Sequence, residues 1–247
     1  MKNPRIYFLH LTKCGGTSVK AALRKSVPLG EHGQVFDLEG DAATRTAERF
    51  DVPNWRFRDQ QLHYCLQTNH VRLVMGHFRY TDDFHGEFHD RWKMITVLRE
   101  PEERLLSLYF YNRFKDNDYG KVTEELEAFL FEPDGSATRR SQVHAAFFVA
   151  AFRGTGQGMH HVPTQADVDL ATRNLERFAA VGILEDMEPF KASIESITGT
   201  PFDLPVLNTS PARASDREVV DERVRERVIE ICRPARVLYE RFGGQPL

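Results

Sequence analysis

Cysteine is scarce and unpaired in this chain. Cys14, Cys65 and Cys232 are the only three in 247 residues, and no CxxC step occurs. That excludes a disulfide framework and the spacing of a structural zinc site, so the thiols read as free groups of a reducing compartment. No stretch approaches the ~18 consecutive apolar residues of a membrane span, and the amino-terminal MKNPRIYFLHLTK lacks an apolar signal core. The expectation is a soluble, cytoplasmic protein without an integral membrane segment. Positive charge is not in excess either: 33 Lys and Arg stand against 36 Asp and Glu, for a formal net charge of -3. Nucleic acid is therefore not expected as a partner, and cations at any site must be placed locally. Internal repeats, low-complexity tracts and a linker are also missing, so one domain across residues 1–247 is expected.

What is present begins at residues 5–18, RIYFLHLTKCGGTS. Arg5 to Leu9 reads as a short buried strand, Gly15-Gly16 as a breaker, and Thr17-Ser18 as the opening of a helix. Strand, glycine turn and helix aim free backbone N–H groups and the positive end of a helix dipole at an anion. Lys13 adds a mobile cation, and the Thr17 and Ser18 hydroxyls add donors. The arrangement is not the usual P-loop, which places its Lys after the second glycine and a magnesium-binding hydroxyl next to it. A plain tight turn with Thr17 or Ser18 as N-cap fits the same residues.

Farther along, a helix is expected to end near residue 26, with a polar passage to 40, a helix over 41–50 and a loop over 53–59. Residues 72–75 read as a second buried strand ending in Gly76-His77, and 82–90 as a loop. KMITVL, residues 93–98, is the clearest buried strand. Pro101 then sits at a helix's first position, with Glu102 and Glu103 in its favourable first turn. Further helices are expected at 122–131, 141–152, 165–178, 187–197 and 215–242, the last with a break near Pro234, and a strand at 180–184. Three or four buried strands between helices indicate a single three-layer α/β domain with a mainly parallel sheet. Ligands of such sheets bind at the strands' carboxyl ends, where Lys13, His77 and Arg99 fall. Arg99 and Ser107 offer a guanidinium and a hydroxyl for a second phosphate. An Arg paired with Glu102 or Glu103 and a solvated Ser are the alternative.

These motifs resemble a known family. HLTKCGGTS is similar to the 5′-phosphosulfate loop of sulfotransferases that use 3′-phosphoadenosine-5′-phosphosulfate (PAPS). VLREPEERLLSLYFY resembles their 3′-phosphate motif, with Arg99 and Ser107 eight residues apart. Gly76-His77 resembles the carbohydrate branch, typified by heparan sulfate 2-O-sulfotransferase, in which such a His is the base. AAVGILEDMEPFKASIESI is similar to a later segment of that branch. The resemblance implies that Lys13, Cys14, Gly15, Gly16, Thr17 and Ser18 surround the 5′-phosphosulfate, and that Arg99 and Ser107 hold the 3′-phosphate. It places Asn208, Thr209, Ser210 and Arg213 in a loop closing over the nucleotide. Thr12 and Cys14 depart from the Pro and Thr commoner at those positions, and Cys14 puts a thiol beside the nucleotide.

The chemistry implied is in-line sulfuryl transfer to a hydroxyl, with no metal required. Lys13 would stabilise charge on the departing phosphate, His77 would take the acceptor's proton, and Ser107 would bond Lys13 until the acceptor is in place. A sugar or glycoconjugate is the acceptor implied by the branch. Two rivals stand beside this reading: a P-loop kinase or NTPase, disfavoured because KMITVL ends in Arg99 where those enzymes hold a metal with Asp, and a catalytically idle nucleotide-binding protein of the same fold. Of the remaining histidines, His10 reads as a packed strand-end residue and His85 and His89 as a solvated loop. His160-His161 reads as a loop lining the acceptor pocket, and Tyr109 to Tyr111 as core.

Overall fold

The computed structural model describes residues 4–116, 120–154, 161–205 and 220–245. Five strands occur among them: β1 (Ile6–Leu9), β2 (Gln34–Asp37), β3 (Val71–Gly76), β4 (Lys93–Leu98) and β5 (Ala180–Ile183). All pair in parallel, in the order β2-β3-β1-β4-β5, so β1 is the central strand. Its register sets Leu9 level with Gly76 of β3 and Thr96 of β4.

The pleat sends alternate residues to opposite faces, and each face meets its own helices. Ile6, Phe8, Leu73, Met75, Ile95 and Val97 pack against α1 (Gly16–Ser26) and α10 (Glu188–Thr198). Tyr7, Leu9, Val74, Met94 and Leu98 face a larger cluster on the other side. That cluster draws on α2 (Gly40–Arg49), α3 (Asn54–Gln67), α4 (Asp82–Phe88), α8 (Phe147–Phe152), α9 (Gln165–Leu175) and α11 (Glu222–Arg241). A third cluster joins α5 (Pro101–Phe114), α6 (Leu126–Leu130), α7 (Arg139–Ala145) and α11 through Leu105, Tyr109, Phe129, Val228 and Cys232. The result is the three-layer α/β arrangement that the spacing of apolar runs indicates.

Several expectations are corrected. Strand β2 lies in the passage read as polar; as an edge strand it pairs with β3 alone and is nowhere fully buried, so no apolar run marks it. Residues 53–59 are not a loop: α3 starts directly after Pro53, and only its second half buries Leu62, Cys65 and Leu66. Helix α4 replaces the loop at 82–90, with His85 fully buried in it and not solvated. The helix expected at 122–131 shortens to α6, and that at 141–152 splits into α7 and α8. Helix α11 runs through Pro234 without a break. Among the described residues, no helix is long and apolar enough to cross a membrane.

Candidate active site

The pleat also explains how the site assembles. On the α1 side, Phe8, Met75 and Val97 are the last packed residues of β1, β3 and β4. One residue past the end of each strand stand His10, His77 and Arg99; they continue the alternation by two from Phe8, Met75 and Val97, and all three line the same cavity. Lys13 belongs to the loop that carries the chain from β1 into α1. All four line one cavity of about 610 Å3.

The loop is held in unusual backbone geometry. Lys13 and Gly15 have φ of 68° and 72°, a left-handed region that costs a residue with a Cβ. Gly15 is the N-cap of α1 and no side chain caps that helix, so Thr17 and Ser18 are not its caps. The first intrahelical donors are Ser18 and Val19, both to the Gly15 carbonyl. The Gly16 and Thr17 amides thus lie ahead of the helical ladder, and both residues line the cavity.

Arg99 is joined to the backbone of Lys13. Arg99 Nη1 donates to the Lys13 carbonyl at 3.3 Å, and Nη2 donates to Glu103 at 3.4 Å. Arg99 Nε lies 4.0 Å from Glu185 Oε1, which also accepts the Glu100 amide at 3.1 Å. The Lys13 ammonium stands 4.3 Å from the centroid of the Tyr111 ring. Leu184, Met187, Leu204 and Pro205 form an apolar wall of the cavity.

His77 is positioned by its neighbours. Its Nδ1 lies 2.7 Å from the His10 carbonyl, an oxygen that only accepts, so Nδ1 carries the proton and a neutral ring keeps its lone pair on Nε2. The rings of His10 and His77 stack with centroids 4.2 Å apart. Burial lowers the pKa of His77, and Lys20 and Arg58 lower it further, while the His10 carbonyl and Asp37 act in the other direction. His10 is pushed down to about 2, first by burial, then by His77 and Lys20. Both imidazoles are therefore neutral near pH 7.

No protein-family model matches the chain, and no curated protein matches it.

Of the residues singled out in the sequence, Lys13, Gly15, Gly16, Thr17, Ser18, His77 and Arg99 come together around the cavity. Cys14 does not: its side chain is buried in the core, its thiol donates to the Thr12 carbonyl at 3.7 Å, and burial pushes its pKa up to about 12. The thiol is thus inert and not beside the cavity. Ser107 is buried in α5 and is not among the lining residues; Tyr111, one turn later, is. Asn208, Thr209, Ser210 and Arg213 lie outside the described residues, as does His160. His161 is 3.4 Å from Asp167 and does not line the cavity.

Tyr111, His10 and Thr12 are polar lining residues that the sequence did not assign to the site. Tyr111, expected in the core, is half exposed in the cavity wall. Its position four residues after Ser107, on the same helical face, was the available signal. His10 is packed, as its place at the strand end indicates, and it also forms part of the wall.

Proposed function

We propose that this chain is a PAPS-dependent sulfotransferase that moves a sulfuryl group to an acceptor hydroxyl, on a sugar or glycoconjugate. The observation that carries the reading is the meeting of Lys13 and Arg99, distant in sequence, at one cavity whose other wall holds His77. Gly16 and Thr17 amides with the Lys13 ammonium suit the phosphosulfate end of the nucleotide. Arg99 suits the 3′-phosphate, which would replace its long contacts to Glu103 and Glu185. The apolar wall of Leu184, Met187, Leu204 and Pro205 suits the adenine ring.

In this reading Lys13 places a cation where charge develops on the leaving phosphate, favouring the transition state over the ground state. His77, with Nε2 as its basic atom, takes the proton of the acceptor hydroxyl. The cradle contributes positioning for the in-line step.

Thermal shift with 3′-phosphoadenosine-5′-phosphate (PAP) against ATP with Mg²⁺ is the first test. Stabilisation by PAP in preference to ATP is expected; the reverse order would give the site to a kinase or NTPase. Turnover of labelled PAPS with an extract of the source organism as acceptor then separates an enzyme from an idle binder. Lys13→Ala and His77→Ala are each expected to lower turnover by on the order of 10²-fold or more. Near-normal turnover by the His77 variant would remove it from the base role.

A further inference from the structure

His10 does more in this site than fill space at a strand end. Its carbonyl accepts the His77 Nδ1 proton, and its ring lies stacked against the His77 ring. Behind it, the ring stacks on Phe8 with centroids 5.6 Å apart. Its tip lies over the first residue of α1, where a Cβ built on Gly16 would come within 1.8 Å of His10 Nε2. Its Nδ1 is buried and has no hydrogen-bond partner among the described residues. Such an unsatisfied polar atom destabilises the fold, which an apolar residue of similar size would not. A cost retained at the wall of a cavity points to a role for the ring.

We propose that His10 is a positioning residue, whose ring walls off His77 from water and fixes its plane against the glycine loop. The inference rests on the sulfuryl-transfer reading only in naming His77 a base; the packing does not depend on it. The other charged groups around His77 are Lys20 from α1, Asp37 at the end of β2 and Arg58 from α3. Lys20 is bound to Asp37 at 2.5 Å, and Arg58 donates to the His77 carbonyl at 3.1 Å. These contacts do not involve the His10 side chain, so a His10 variant changes the wall while leaving them in place. Opening the wall admits water to the His77 ring, and burial is the largest cause of its lowered pKa.

Imidazole ¹⁵N NMR of His77 tests this without any activity. In the wild type His77 should show the Nδ1–H tautomer and titrate below the ordinary value of about 6.5. His10→Ala and His10→Asn should both move its titration up toward that value, while His10→Leu, which restores the wall, should not. An unchanged titration in both smaller variants would overturn the proposal, and His10→Asn serves if His10→Ala does not fold. Turnover of PAPS gives the second readout. His10→Ala should lose ten- to a hundredfold in kcat, about the cost of a misplaced reacting group, with the KM for PAPS within about twofold. A loss confined to KM would also overturn it. Failure of PAP to bind, with the NMR result as expected, would sink the sulfotransferase reading and leave the wall intact.

Discussion

Replacing Gly16 with Ala sets two physical effects against each other. Gly16 is the first residue of α1. Helix propensity alone favours Ala there by about 0.5–1 kcal/mol. The packing says otherwise, because the added Cβ would lie 1.8 Å from His10 Nε2 and 1.9 Å from Cδ2. The His10 ring cannot easily withdraw, since it stacks on both Phe8 and His77. Overpacking of this kind costs about 1–3 kcal/mol, so the net expectation is a loss of up to about 2.5 kcal/mol. For a chain of this size that lowers Tm by up to about 10 °C. Urea unfolding of Gly16→Ala, His10→Ala and the double variant measures it. The two changes should couple by about 1 kcal/mol or more, since removing the ring removes the clash. A Gly16→Ala protein as stable as the wild type, or more so, would refute the argument and leave propensity as the winning effect.

Three further outcomes are expected. Burial pushes His10 and His85 down to about 2 and about 3, below the unfolded value. Their contribution to stability is then complete above pH ~6.5 and is lost as pH falls through it, because the unfolded chain takes up protons that the folded one refuses. The loss approaches about 1.4 kcal/mol per pH unit for each group, and a urea midpoint that stays flat from pH 6.5 to 5 would contradict it. Arg99→Ala should erase the preference for PAP over AMP in thermal shift, while leaving the AMP response nearly intact; an undiminished preference means that the 3′-phosphate is held elsewhere. Arg236 is buried, bonded to Glu102, 3.2 Å from Glu100 and 3.1 Å from the Gln245 carbonyl. Its replacement by Ala strands Glu102 in a largely buried position, at a cost of about 3–5 kcal/mol. Glu102→Gln in the same protein should recover part of that loss, and a cost below ~1 kcal/mol for Arg236→Ala alone would show the pair to be dispensable.

The strands that carry the site were legible in the sequence because they are buried on both faces. IYFL is a continuous apolar run and KMITVL is apolar apart from the exposed Lys93 and the buried Thr96, and the breakers Gly15-Gly16 and Pro101 mark where helices follow. Strand β2 was hidden because an edge strand needs no such run. Helices α3 and α4 were hidden for another reason. Their first turns, NWRF and DDFH, carry mostly polar and aromatic residues, and neither helix has a side-chain cap. Tertiary packing of Leu62, Cys65, Leu66, His85 and Phe88 decides them, and local propensity does not. The apolar wall was not legible for a similar reason: Leu184, Met187 and Leu204 come from segments beyond β5 and α10, brought to the loop only by the fold.

The polar half of the site follows from the pleat once the strand order is known. Residues 6, 8, 73, 75, 95 and 97 share the α1 face. The next residue of the same parity in each strand is therefore His10, His77 or Arg99. Strands β3, β1 and β4 are neighbours, so these three side chains emerge beside one another on the side where α1 begins. Register makes the convergence specific. With Leu9 level with Gly76, His10 falls level with His77, and the two rings stack. A slip of one residue in β1 would exchange its two faces and carry His10 away from Gly16. The glycine at the start of α1, the imidazole over it and the imidazole stacked on that ring are thus consequences of a single register. A bulky residue at Gly16 would disturb all three together, although Gly16 and His77 lie far apart in the sequence.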